Sequence, residues 1–185
     1  MKSAKQYYST YLADDNIVSL NKQLADEVLS LNPNHVFELG IGTGKNLRLI
    51  LKEQYRYALS SISVFGIDVS MINVINAVVK NNLKGVALAD ESYLRHFCNF
   101  DVVITCSCLD HIEDITGIIQ ELKRICNKAV IIAECVNYHS PENYYYLHDY
   151  ESFGFEPIEG TEYLSEGDGQ EYKIFKWMKP NEIQI

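Results

Sequence analysis

The segment Val36-Phe37-Glu38-Leu39-Gly40-Ile41-Gly42-Thr43-Gly44-Lys45-Asn46 is where this chain is best equipped to hold a ligand. Three alternating glycines after a strand let the backbone turn with positive φ and come close to a ligand with no Cβ in the way, and the helix that follows offers unpaired N–H groups. A second place is Leu109-Asp110-His111-Ile112, just after a run dense in Val and Ile. An imidazole with an ordinary pKa of about 6.5 accepts a proton near neutral pH. That makes His111 a general-base candidate, with Asp110 to orient it or bind substrate; the competing reading is that His111 shapes its turn or packs on a bound ligand. Cys106 and Cys108 would point the same way along a strand, but without two further ligands at metal-site spacing they read as buried packing, and no metal is expected.

Which ligand the glycines could cradle follows partly by exclusion. A dinucleotide fold wants G-x-G-x-x-G, whereas the third glycine here is Gly44 and Lys45 fills the required slot. A phosphate-binding P-loop wants glycine where Leu39 stands and Ser or Thr where Asn46 stands, so that reading fails. A tight turn with no ligand remains as the plain alternative. The pattern Glu-x-Gly-x-Gly-x-Gly resembles the first motif of the class I S-adenosylmethionine-dependent methyltransferases, and further motifs follow in that family's order: Val64-Phe65-Gly66-Ile67-Asp68, Ala87-Leu88-Ala89-Asp90, and Phe100 to Asp114 with its Leu-x-His-Ile turn. The resemblance spans about Val36 to Val136.

It implies an enzyme that binds S-adenosylmethionine, releases S-adenosylhomocysteine, and methylates an oxygen or nitrogen of a small molecule. It further implies that the glycine turn (Leu39, Gly40, Gly42, Gly44, Asn46) lies at the cofactor's amino-acid end, with Glu38 helping to hold the loop and the cofactor's ammonium. Asp68, followed by Val69, is implied to take the ribose hydroxyls, Asp90 the adenine amine, and the amide of Glu91 the ring, with Thr105 and Cys106 also at the cofactor. Asp90 has an ordinary alternative as a helix cap. Methyl transfer from an activated sulfonium needs mainly alignment and handling of one proton, which is the task left to His111 and Asp110. The stretches at 14–17, 42–46, 132–134 and 148–150 further resemble methylases associated with bacterial nonulosonic acid pathways, which make nine-carbon acidic sugars. Two competing functions stay open: a non-catalytic module that binds the cofactor, and a nicotinamide-dependent oxidoreductase, against which the placement of Gly44 speaks.

Tyrosines gather at Tyr7, Tyr8 and Tyr11 and again at Tyr138, Tyr144, Tyr145, Tyr146 and Tyr150, flanking the expected core. In related methyltransferases these regions shape the acceptor pocket, and Tyr7, Tyr11 and Tyr138 are the substrate candidates. A tyrosine ring packs on apolar groups or a cation while its hydroxyl meets a polar acceptor. The alternative for most of them is half-buried surface.

The elements that must position these residues alternate. Helix-like periodicity from Asp15 to Leu31 gives way at Pro33 to a strand at His35–Leu39, and then come a helix over 46–55, a strand over 63–67, a helix over 71–81, a short strand over 86–89 and a short helix over 92–98. A central strand at 100–106, a helix at 116–126, a strand at 129–136, a helix around 144–153, and a hairpin of 156–164 with 171–177 complete the pattern. This predicts an α/β, Rossmann-like class I methyltransferase fold: a mostly parallel seven-stranded sheet, helices on both faces, and a C-terminal antiparallel hairpin. One domain over 1–185 is expected, with an N-terminal helical segment (1–34), a cofactor-binding core (35–136) and a closing part (137–185). With 16 Lys+Arg against 25 Asp+Glu, net charge −9, and no Pro-Pro-Tyr-like sequence after the fourth strand, nucleic acid is a poor partner. Apolar runs are far short of a membrane span, no signal segment is evident, and five cysteines read as reduced core residues. A cytoplasmic monomer or homodimer is expected.

Overall fold

The computed structural model describes residues 12–13, 16–59, 61–165 and 169–180. Along each inner strand, successive side chains enter opposite layers, as a pleated sheet requires. Val36, Val102 and Ile131 join the layer formed with α1 (Ser19–Ser30), α2 (Lys45–Glu53) and α3 (Met71–Val79), while Phe37, Val103, Val130 and Ile132 face α4 (Thr116–Ile125). Both faces of the inner strands are therefore dry, which explains the long buried runs of β1 (His35–Leu39), β4 (Phe100–Cys106) and β5 (Cys126–Cys135).

With β2 (Ser63–Asp68), β3 (Val86–Leu88), β6 (Glu156–Pro157), β7 (Tyr163–Leu164) and β8 (Glu171–Met178), the sheet runs β3-β2-β1-β4-β5-β8-β6, with β7 also on β8. β1 lies parallel to both β2 and β4, and β8 lies antiparallel to β5. The sheet is thus seven positions wide, its outermost place filled by two short strands. Strand order reverses between β1 and β4, so their carboxyl ends open a crevice where open α/β sheets take ligands.

Several expectations need correction. The first helix begins at Ser19 rather than near residue 15: the Asn21 side chain accepts from the Val18 N–H at 2.9 Å, holding Val18 extended, and residues 14 and 15 lie outside the described ones. The helix expected around 144–153 does not form. Short 3-10 turns at Pro141–Asn143 and Glu151–Phe153 bracket an irregular strap, because Tyr144 takes a left-handed φ of 61° and the next amides leave the helical path. The Tyr145 N–H donates to the Ser140 carbonyl at 3.0 Å and the Tyr146 N–H to the Asp110 carbonyl at 2.7 Å. Tyr150 is not at the flank of the core but within it. Cys106 and Cys108 are not related by strand alternation either: β4 ends at Cys106, and Ser107 turns the chain with φ of 48°.

Candidate cofactor and acceptor site

A cavity of about 730 Å³ occupies the crevice, within the range usual for small-molecule sites. One side is backbone. The Gly40 and Ile41 amides both donate to the Ile67 carbonyl, at 2.9 and 3.2 Å, which binds the turn after β1 to the end of β2. Gly40, Gly42 and Gly44 all have positive φ, and a Cβ on Gly40 would stand 2.5 Å from Cys108 Sγ. Glycine is required there by conformation and by space together.

Asp68 closes the same corner. Its carboxylate accepts from the Gly42 N–H at 2.8 Å and the Ser70 N–H at 2.7 Å, and burial raises its pKa against the lowering effect of those bonds. Beneath the turn, Asn21 donates to Asn46 at 2.9 Å and Asn46 donates to Glu38 Oε1 at 2.7 Å. Burial pushes the Glu38 carboxyl up to about 8, so it is largely protonated at neutral pH. Glu38 therefore holds the glycine turn through Asn46 and is not itself a lining residue. Asp90 caps the short 3-10 helix that follows, accepting from the Ser92 N–H at 3.0 Å, and also lines the cavity.

The other side is made of side chains. His111 Nδ1 lies 3.2 Å from the Tyr144 carbonyl, and its Nε2 lies 3.6 Å from Asp110 Oδ1. The Tyr145 ring meets the imidazole edge-on, with centroids 4.7 Å apart. Burial lowers the His111 pKa, which keeps the ring neutral at pH 7. A neutral imidazole facing a carbonyl carries its proton on Nδ1, which leaves the lone pair on Nε2. Under the turn lies Glu134, fully buried, accepting from the Thr105 hydroxyl at 2.8 Å and from the amides of Cys108, Leu109 and Asp110 at 3.1 to 3.3 Å. Burial raises both Asp110 and Glu134, and their mutual repulsion prevents the pair from carrying two charges at neutral pH. The thiols stay protonated: burial pushes Cys106 up to about 12 and Cys108 well above its ordinary value.

Of the residues singled out in the sequence, Leu39, Gly40, Gly42, Asn46, Asp68, Val69, Asp90, Glu91, Cys106 and His111 line this one cavity. Glu38, Gly44, Thr105 and Asp110 sit just behind the lining. Tyr138 stands behind Tyr145, ring centroids 5.0 Å apart, rather than at the surface of the cavity. Tyr7 and Tyr11 lie outside the described residues. Sequence reasoning missed Glu134, Tyr172 on β8 and Asn73 on α3 as parts of the site; a lone acidic residue in the otherwise apolar run Ala129–Cys135 was the signal for Glu134.

The donor set suits S-adenosylmethionine. Asp68 and Asp90 offer acceptors for hydroxyl or amine groups, Ile67, Ala89 and Ile112 offer apolar surface for a ring, and the lining carries Asp68, Asp90, Glu91 and Glu113 against a single lysine, Lys45, which favours a cation.

Residues 37–133 match the family model described as a methyltransferase domain. Among solved structures, the chain is similar to magnesium protoporphyrin IX methyltransferase from Synechocystis PCC 6803 with bound S-adenosylmethionine, at 15% identity and a TM-score of 0.65, covering 97% of this chain and 99% of that one. It is similar to the N-methyltransferase NodS of Bradyrhizobium japonicum WM9 in complex with S-adenosylhomocysteine, at 12% identity and a TM-score of 0.70, covering 97% and 100%. The [4+2]-cyclase SpnF shares the fold at 15% identity and a TM-score of 0.62, covering 94% and 86%. No curated protein matches the chain in sequence.

Proposed function

We propose, from the premise that this chain belongs to the class I S-adenosylmethionine-dependent methyltransferase family, that it methylates an oxygen or nitrogen of a small molecule with His111 as general base. The cofactor, when bound, supplies a methyl group on a sulfonium, already activated for attack. The chain's own residues then have three tasks. The glycine turn and Asp68 hold the cofactor's polar groups, Asp90 and the apolar ends of β2 and β3 hold its ring, and His111 Nε2 takes the proton that the attacking atom loses. The Tyr144 carbonyl keeps the imidazole oriented through Nδ1, and that bond together with Glu134 favours the protonated form once the proton is taken, while Asp110 stands behind the ring.

The observation that carries this reading is the continuity of one cavity from the glycine turn to His111. The lining near His111 consists of Ile112, Glu113, Tyr144, Tyr145, Tyr146 and Tyr172, with no lysine or arginine among the described residues. That composition favours an uncharged or cationic acceptor with a ring or apolar body over an acidic sugar. Calorimetric titration with S-adenosylhomocysteine, followed by its release from S-adenosylmethionine over a panel of phenols, amines and sugar acids, tests the proposal. Binding together with turnover on phenols or amines is expected. Binding with no turnover on any acceptor would return the chain to a cofactor-binding module, and no binding by folded protein would remove the proposal altogether.

A further inference from the structure

We propose that Glu134 is a positioning residue for this reaction: a carboxylate on β5 that fixes the turn after β4 and thereby sets where His111 stands over the cavity. This rests on the reading of His111 as the base. The turn leaves β4 abruptly at Ser107, and the next three amides have no strand or helix partner of their own. Buried N–H groups must find acceptors. They converge on Glu134, which Oε2 ties to Cys108 and Asp110 at 3.1 and 3.3 Å and Oε1 ties to Leu109 at 3.2 Å, while the Thr105 hydroxyl donates to Oε1 at 2.8 Å.

Four donors on one side chain call for the ionised carboxyl, which only accepts and has lone pairs on two oxygens, so the proton that the Asp110–Glu134 pair keeps rests on Asp110. An amide would turn N–H against N–H. The acid also reaches across the sheet: Ala133 pairs with Cys106 in register, and its carbonyl accepts from the Ser107 N–H at 3.0 Å, so the residue after it meets the turn as soon as the turn begins. All other residues from Ala129 to Cys135 are buried and apolar, and a carboxyl placed among them is costly unless something uses it. Asp110, itself buried, meets His111 Nε2 at 3.6 Å, so the amide cage, Asp110 and the imidazole form one line from the sheet to the cavity.

The test uses the whole chain with S-adenosylhomocysteine added, comparing the natural protein with Glu134→Gln and Thr105→Val. Amide hydrogen exchange and the 15N signals of the His111 ring are the readouts. For Glu134→Gln the amides of Cys108, Leu109 and Asp110 are expected to exchange at least about 30-fold faster while those of β1 and β4 hold, and the His111 ring is expected to shift from one tautomer to a mixture. Thr105→Val, which removes one donor and leaves the carboxylate, gives a smaller change of the same sign and carries the test if the first variant does not fold. Unchanged exchange and tautomer in either folded variant, or exchange that rises equally throughout the sheet, overturns the proposal. Failure of the natural protein to bind S-adenosylhomocysteine would instead overturn the assigned function, and the exchange readout would still stand by itself.

Discussion

The two sides of the cavity are built in different ways. On the side proposed for the cofactor, geometry is written in the backbone: three glycines with positive φ, two amides on one carbonyl, and a strand-end carboxylate gathering the next amides. On the side proposed for the acceptor it is written in side chains that reach across the fold, with His111 held by the Tyr144 carbonyl and the Tyr145 ring, and the turn beneath it held by Glu134. The first arrangement follows from the repeated strand–turn–helix unit and needs few particular side chains. The second depends on a handful of residues and can be re-cut without disturbing the sheet, which is where a family of one fold can diversify its acceptors.

Substitutions should separate the two sides. The largest effect is expected from His111→Gln, which should lower kcat by about 10²- to 10⁴-fold while leaving affinity for S-adenosylhomocysteine within about threefold; equal losses in both would merge the two sides into one. Gly40→Ala should weaken cofactor binding by about 30- to 100-fold, since its Cβ meets Cys108 Sγ at 2.5 Å and its φ is 73°. Adding Cys108→Ala should restore only part, because the contact to Cys108 Cβ at 2.8 Å remains. That pair lies on the seam, so full restoration would show that side-chain space alone matters there. Asp68→Ala should weaken binding by about 10- to 30-fold, as loss of charged hydrogen bonds does, and calorimetry showing no change would sever Asp68 from the cofactor.

The smallest effect is one of stability. Glu38 has a folded-state pKa of about 8 against an ordinary 4.5. Below 4.5 both states hold the proton and stability is full; as pH rises, the unfolded chain ionises first, and stability falls until the folded carboxyl also ionises near 8. Glu38→Gln should flatten that slope by up to about 1.4 kcal/mol per pH unit. Denaturant titrations at pH 5, 6 and 7 would check it, and an unchanged slope would place the pH dependence elsewhere, with Asp110 next in line.

The same division explains what could be read in advance. β1 and β4 were legible to the residue, and the other inner strands nearly so, because an apolar run between turn signals has few alternatives. The glycine turn, Asp68 and Asp90 were legible because a strand end followed by glycine or an acid is a local pattern. The strap after Pro141 was not: its tyrosines look helical, but Tyr144 turns left-handed and the following amides seek Ser140 and Asp110, partners that no local window contains. Glu134 was overlooked for the same reason, since its donors lie 24 to 29 residues earlier in the chain.

The position of β8 has a consequence in time. It lies inside the sheet, between β5 and β6, yet it follows every other described strand in the sequence. While the ribosome is still producing the strap and the short edge strands, at about 5–20 residues per second, the apolar edge of β5 waits for some seconds without the strand that pairs with seven of its residues. An unpaired, Val/Ile-rich edge invites pairing with a neighbouring chain. The yield of soluble protein should therefore be set less by the finished fold than by how that interval is bridged during synthesis, and slower translation between β5 and β8 should favour aggregates.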